Sequence, residues 1–210
     1  MMDITFGYPD KLPLAYYSQK KNVCTIAKAF IGKVLVTSFD NFIIAGRIVE
    51  TEAYTGIIDK ASLSWNGKRT NRTEVMYAEG GVSYIYLCYG IHYLFNVITN
   101  ENDLPQAVLI LRIGPLIEIE PMLFRTGKPE ANFTLTRGPG NMSKAMGIGT
   151  QVTGISLQSD QLFIAKANFK VKLLQIKTTA RIGVDFAGED AKLLYRFKLQ
   201  GNHYVSEKIH

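Results

Sequence analysis

The sequence is poor in metal-binding side chains. Cysteine occurs twice, as Cys24 and Cys88, and histidine three times, as His92, His203 and His210. An iron–sulfur cluster or an all-cysteine zinc site takes four thiolates, and the histidines lack ligand spacing, so no metal site is expected. Two cysteines allow one disulfide without implying it, which favours a reducing compartment. Residues 1–20 hold no long apolar run, so neither a signal peptide nor a membrane span is expected. Also missing are a Gly-x-Ser-x-Gly motif, a P-loop, and a dinucleotide-binding glycine fingerprint after a strand. No cofactor is therefore expected. Internal repeats, low-complexity tracts and clear linkers are absent as well.

What is present is ordinary globular material. A chain of 210 residues supports one sizeable core and is short for two full domains. Hydrophobic residues make up 47% and charged residues 20%, which excludes a disordered chain. Lysine and arginine exceed aspartate and glutamate by 24 to 18. That excess suits an anionic partner and equally a mildly basic soluble protein. Eleven tyrosines and eleven phenylalanines supply rings on which flat groups stack.

Along the chain, residues 1–22 read as an arm with a short helix. A helix is expected over 25–30, closed by Gly32, then a strand over 33–38. Asp40-Asn41 is a turn signal leading into a strand that begins at Phe42 and runs through Tyr54. Residues 59–62 read as a helical turn capped by Asp59. The basic loop Gly67-Lys68-Arg69-Thr70-Asn71-Arg72-Thr73 suits phosphate contact, or is a solvated loop. Residues 82–99 read as a hairpin around Tyr89-Gly90-Ile91-His92, with Tyr84, Tyr86 and Cys88 on one face. Its large apolar tip residues prefer burial, unless they insert into something. Residues 107–113 form a buried strand in which Arg112 needs an acidic partner or a solvent-facing cleft. Pro115 and Pro121 bracket a turn, with a short helix after it. The Arg137-Gly138-Pro139-Gly140-Asn141 turn opens a helix through Met146, and its N-terminus suits an anion as well as a plain turn. Further strands are expected over 155–157, 162–165 and 171–176, a strand then a turn over 179–184, and a helix over 188–193. Strands dominate and lie close in sequence, so hairpins outweigh βαβ units. The expected fold is α+β: a single domain over 1–210 with a curved, mostly antiparallel sheet, short flanking helices and a protruding hairpin.

Chemistry concentrates in Arg47-Ile48-Val49-Glu50-Thr51-Glu52-Ala53-Tyr54. Carboxylates inside such a run are costly to bury unless paired or used. Glu50 and Glu52 are two residues apart and share a face of a regular strand, so periodicity does not choose between them. A carboxylate that activates water suits hydrolysis, and tyrosine rings suit holding a flat, electron-poor group. The residues sketch a hydrolase acting on a base.

Several blocks then match one family in order. Gly46 to Tyr54 is followed by Asp59-Lys60-Ala61-Ser62, Thr70-x-Arg72-x-x-x-Met76, Tyr84-x-Tyr86-x-x-Tyr89-Gly90 and Asn96. The match continues through residues 107–112, Gly138-Pro139-Gly140, Arg181-Ile182-Gly183 and Arg196-Phe197. The chain thus resembles the alkyladenine (3-methyladenine) DNA glycosylases over residues 26–206. The resemblance implies a monofunctional enzyme that flips alkylated or deaminated purines out of duplex DNA and hydrolyses the N-glycosidic bond. It implies Glu52 as general base, with Arg112 and the Ile182 carbonyl holding the attacking water. Tyr54 and Tyr86 match the rings that sandwich the base, and Asn96 matches the side chain that crowds the guanine amine. Tyr89 would be the residue wedged into the duplex. Lys68, Thr70 and Arg72 are the candidates for the DNA backbone.

Two positions depart from the family. Leu63 stands where a histidine is usual, keeping a backbone donor and an apolar wall but losing the ring. Asn141 follows Gly-Pro-Gly where a lysine is common. Glu50 is left with no derived role beyond charge pairing. A monomer acting on duplex DNA, away from membranes, in the cytoplasm with the nucleoid or in a nucleus, is expected. A damaged-DNA binding module without catalysis, and a protein acting on RNA or a free nucleoside, are the competing readings.

Overall fold

A computed structural model describes residues 10–18, 22–167 and 169–205. Its centre is one long strand, β2 (Phe42–Tyr54), rich in β-branched residues that suit a pleated surface. β1 (Val34–Phe39) pairs with the first half of β2 through a tight turn at Asp40 and Asn41. Both turn residues have positive φ, +54° and +64°, as a two-residue type I′ connection requires. The other edge of β2 is covered by β5 (Gln106–Ile117). Where β1 leaves off, β8 (Arg196–Leu199) takes up the free edge, opposite residues 50–52. β3 (Ser83–Cys88) and β4 (His92–Thr99) form the expected hairpin, and β4 pairs with β5. β6 (Leu162–Ala165) closes the sheet beyond β1, and β7 (Ile176–Thr179) pairs with β8. Every pairing is antiparallel. The α+β single domain with a curled antiparallel sheet and short helices is the architecture observed.

Strand alternation divides the sheet into two faces. Val49 and Ala53 of β2, Val108 and Ile110 of β5, and Ile85 and Phe95 of the hairpin enter the main core. Three short helices cover that face. α1 (Val23–Phe30) is capped by the Asn22 side chain, which accepts the Cys24 N–H, and buries Val23, Ile26, Ala27 and Phe30 at helical spacing. The Thr51 hydroxyl ties it to β2 by donating to the Ala27 carbonyl at 2.9 Å. α2 (Ile119–Thr126) and α3 (Pro139–Met146) complete the layer. α3 begins with Pro139 at its first position and ends at Gly147, φ +71°. Gly140 is needed for its approach to β4: a Cβ there would lie 2.7 Å from the His92 ring.

Several expected elements differ. β5 runs through Pro115 to Ile117, because Pro115 meets Gly46 beside a register shift where its missing N–H is tolerated. α2 starts at Ile119 and carries Pro121 in its first turn. Residues 171–175 are not strand: Val171 packs against the core, but a 3₁₀ turn spans Leu173–Gln175 and leaves Leu173 and Leu174 exposed. Residues 155–157 make only an isolated bridge, Val82 to Ser156. Residues 59–62 form a turn that continues into no regular α-helix; Asp59 caps it by accepting the Ala61 N–H while also pairing with Arg181. Residues 188–192 fall in a kinked 3₁₀ stretch, Asp185–Lys192, and Leu193 follows it in extended conformation. Of the N-terminal arm, residues 1–9 and 19–21 lie outside the described residues. Residues 14–16 form a 3₁₀ turn, and Tyr17 is fully buried beside Phe30.

Candidate active site

The other face of the sheet floors a cavity of about 450 Å³. Glu50, Glu52 and Tyr54 of β2 line it, alternating with the core residues. Leu109 and Leu111 of β5, Tyr84, Tyr86 and Cys88 of β3, and Asn96 of β4 do the same. Arg112 reaches this face only because the β2–β5 ladder is irregular. An uninterrupted register from Ile48↔Ile113 would set Arg112 opposite Val49, on the core side. Shifts on both sides of Glu50 set it opposite Glu50 instead.

Glu52 is 2% exposed. One carboxylate oxygen accepts the Ile182 backbone N–H at 3.1 Å, and the other accepts the Tyr54 hydroxyl at 3.0 Å. Burial pushes its carboxyl up to about 7, against the pull of those two donors and of Arg196 at 4.0 Å. Burial and the adjacent Glu52 charge push the Tyr54 phenol well above its ordinary range, so it stays a donor. Glu50, fully buried, receives both arginines. Its Oε2 lies 3.1 Å from Arg112 Nε, and its Oε1 lies 2.5 Å from Arg196 Nε and also contacts Arg196 Nη2. Arg112 further donates to the Tyr204 carbonyl at 3.2 Å.

The walls are fixed from behind. Arg181 forms a fully buried double contact with Asp59, at 2.6 and 2.9 Å, and donates to the carbonyls of Ala53 and Asp190. Its guanidinium lies over the Tyr54 ring at 4.8 Å. Asp59 also accepts the N–H groups of Thr55 and Ala61. One ion pair thus joins β2, the 55–63 turns that carry Leu63, and the 181–190 segment that carries Ile182. Arg72 lies over the Tyr86 ring at 4.6 Å and donates to the Leu87 carbonyl at 3.2 Å. The Asn96 amide is locked, its nitrogen donating to the carbonyls of Tyr84 and Leu94, which leaves its oxygen as the remaining polar atom. At the rim, Leu63, Ile182 and Phe186 are exposed, and Tyr89 at the hairpin tip is 90% exposed. Tyr89 and Gly90 both take positive φ, +51° and +74°, so the ring is presented by a tight turn and not by a slack loop.

Among the described residues no cluster of His, Cys, Asp and Glu is arranged to hold a metal, and no helix is long and apolar enough to cross a membrane. The sequence model of the methylpurine-DNA glycosylases matches residues 17–203. The chain belongs to the methylpurine-DNA glycosylase family. Curated relatives agree over most of its length. A Desulfitobacterium hafniense protein is 41% identical over 190 residues, covering 87% of this chain and 93% of its own. One from Bdellovibrio bacteriovorus is 39% identical over 199 residues, covering 94% and 99%. A third, from Clostridium perfringens strain 13, is 38% identical over 196 residues, covering 90% and 96%. All three are provisionally named 3-methyladenine DNA glycosylase.

For this methylpurine-DNA glycosylase fold, the cavity brings together Glu52, Arg112, Tyr54, Leu63, Tyr86, Asn96, Ile182 and Tyr89. Lys68, Thr70 and Arg72 do not line it. Lys68 and Thr70 sit in an exposed loop held in shape by Thr73, whose hydroxyl donates to the Lys68 carbonyl and accepts the Thr70 N–H. Two contacts are made besides those the resemblance implies. Arg112 is ion-paired to Glu50, and the Ile182 contact to Glu52 is made by its N–H. Sequence reasoning also missed Arg196, Phe186 and the Asp59–Arg181 clasp. Arg196 was within reach as a buried cation of a matching block, but nothing local connects it to a carboxylate 146 residues away.

Proposed function

We propose that this chain is a monofunctional DNA glycosylase that excises alkylated or deaminated purines from duplex DNA. The reading rests on one observation above all. A buried carboxylate, Glu52, faces a cavity walled by Tyr54 and Tyr86 in a member of this family. Glu52 takes a proton from water as the water oxygen bonds to the sugar C1′. The C1′–N bond breaks with its electron pair leaving on the base. The products are a free base and an abasic sugar. The carboxylate also stabilises the oxocarbenium-like charge that develops on the sugar. A cationic alkylpurine stacks well on tyrosine faces and departs neutral. Among the described residues no lysine lines the cavity, which supports hydrolysis without strand cleavage. Tyr89 fills the gap left by the flipped nucleotide, offsetting part of an unstacking cost of a few kcal/mol. Lys68, Thr70 and Arg72 are exposed and would hold the DNA backbone, and Arg72 also stiffens the Tyr86 wall.

The test is incubation with labelled duplexes carrying hypoxanthine, ethenoadenine or 3-methyladenine, followed by alkali. Lesion-dependent abasic sites are expected. Their absence with every lesion would leave damage binding without catalysis as the better account. Leu63→His adds a ring to the wall, and base–aromatic stacking is worth about 1–3 kcal/mol. Lesion affinity should therefore tighten at least several-fold, most for the neutral hypoxanthine. Unchanged affinity would show that the ring is dispensable in this cavity. Because only the ionised carboxylate accepts a proton, single-turnover excision should rise with pH through about 7 and level off above it. A rate that is flat from pH 5 to 8 would remove Glu52 as the titrating base.

A further inference from the structure

Two carboxylates face the same cavity, but the proposed chemistry uses one. Glu50 is the more deeply buried, and both arginines of the site close on it. We propose that Glu50 is a positioning residue, which gathers Arg112 and Arg196 onto its own oxygens and so keeps them from pairing with Glu52. This rests on the glycosylase reading of Glu52 as the base.

The distances carry the argument. Arg196 Nε is 2.5 Å from Glu50 but 4.0 Å from Glu52. A shift of about an ångström, the difference from ordinary charge-assisted contact, would bring it onto Glu52. Each Glu52 oxygen already accepts one hydrogen bond, from Ile182 and from Tyr54. An arginine docked there would occupy the lone pairs that must take the water proton. The ladder is bent to prevent it, since the paired register shifts aim Arg112 at Glu50. Both irregularities bracket this residue, as expected where a bulge re-aims a side chain.

Other charges do not substitute for Glu50. The titratable and charged groups around Glu52 are Glu50 and Tyr54 on its own strand, Arg112 on β5 and Arg196 on β8. Behind Tyr54 stands the Asp59–Arg181 pair, and across the cavity are Tyr84, Tyr86 and Cys88 of β3. Asp59 holds Arg181 by both oxygens, although Arg181 also feels the Glu52 charge, which leaves Arg196, at 4.0 Å, as the cation nearest to hand for Glu52. A base whose nearest cation is held off at 4.0 Å also agrees with a Glu52 carboxyl near 7.

The experiment compares wild type, Glu50→Gln, Glu50→Asp and the double variant Glu50→Gln/Arg196→Gln. Glu52 is titrated by carboxyl carbon NMR, and single-turnover excision is followed against pH. In Glu50→Gln the titration and the acid limb of the rate should fall together by about one to three pH units, the effect of a close opposite charge. The plateau rate should drop about tenfold or more as the base weakens. Glu50→Asp keeps the buried charge, and with it the fold, but reaches less far, so an intermediate downward movement is expected. Removing Arg196 as well should return the titration towards wild type. Loss of the Glu50 charge lowers the Glu52 titration by itself, so the charge-keeping Glu50→Asp decides: a merely structural Glu50 would lower stability and leave the Glu52 titration in place in that variant, which overturns the proposal. Should Glu50→Gln not fold, Glu50→Asp alone decides it by the same criterion. The titration needs no substrate, so a wild type that excises nothing would sink the glycosylase reading without touching this result.

Discussion

Glu52→Gln is expected to slow excision by about 10²–10⁴, the usual contribution of a positioned general base, while leaving lesion binding nearly unchanged. Glutamine keeps the shape, and its oxygen still accepts the Ile182 N–H, but it takes no proton from water. The same variant should be more stable above neutral pH. The folded-state carboxyl of Glu52 titrates near 7 and its ordinary value is 4.5. The unfolded chain therefore loses this proton first as pH rises, and the folded state becomes progressively less favoured between those two values. Above pH 7 the full penalty stands, about 3 kcal/mol; below 4.5 it is absent. Glutamine does not incur it. Melting temperature at pH 8 should rise by roughly 6–12 °C for a chain of this size, and the gain should vanish at pH 4.5. Full excision by the variant would move the base to Glu50, and an unchanged melting temperature at pH 8 would mean that water reaches the wild-type carboxylate.

Asp59→Ala is expected to cost about 3–5 kcal/mol, because it strands a buried guanidinium rather than merely removing an ion pair. The melting temperature should fall by roughly 6–20 °C. Function should suffer ahead of the fold, since Asp59 joins the Leu63 turns to the Ile182 segment and to the strand beneath Tyr54. Lesion binding measured well below the melting point should weaken, while binding to undamaged duplex holds. The contrast is Arg69, which pairs with Glu74 and Asp103 on the surface. Screening by water leaves such pairs little net effect, so Arg69→Ala should change neither stability nor binding appreciably. Equal losses in the two variants would show that the Asp59–Arg181 pair is less secluded than its burial indicates.

Features set by near neighbours were legible in the chain. The Asp40-Asn41 turn, the hairpin around Tyr89-Gly90 and the alternation of Tyr84, Tyr86 and Cys88 follow from local types and period two, and the structure has them. Arg112 could be read as needing an acid, but not which one. Its partner depends on two register shifts that no period announces. The run 171–176 looked like a strand because its residues are apolar, yet Leu174 is 93% exposed. Apolarity says what burial would gain, not whether a neighbouring strand exists to supply it. Arg72 was read as a DNA-backbone candidate on a basic loop; its place on a tyrosine 14 positions along, a contact made by the fold, was not legible. Choosing Glu52 over Glu50 came from the resemblance alone. The geometry adds a reason for both to be there.

The central strand has consequences for how the molecule comes apart. β2 is hydrogen-bonded along both edges, to β5 on one side and to β1 and then β8 on the other. Its backbone amides should be among the last to exchange with heavy water. Leu63, Ile182 and Phe186 sit instead on turns and 3₁₀ segments with exposed side chains, the kind of structure that opens locally at small free-energy cost. Warming therefore loosens the walls that recognise the base while the carboxylate stays in register. Selectivity should erode at temperatures where the capacity to hydrolyse a seated nucleotide is still intact.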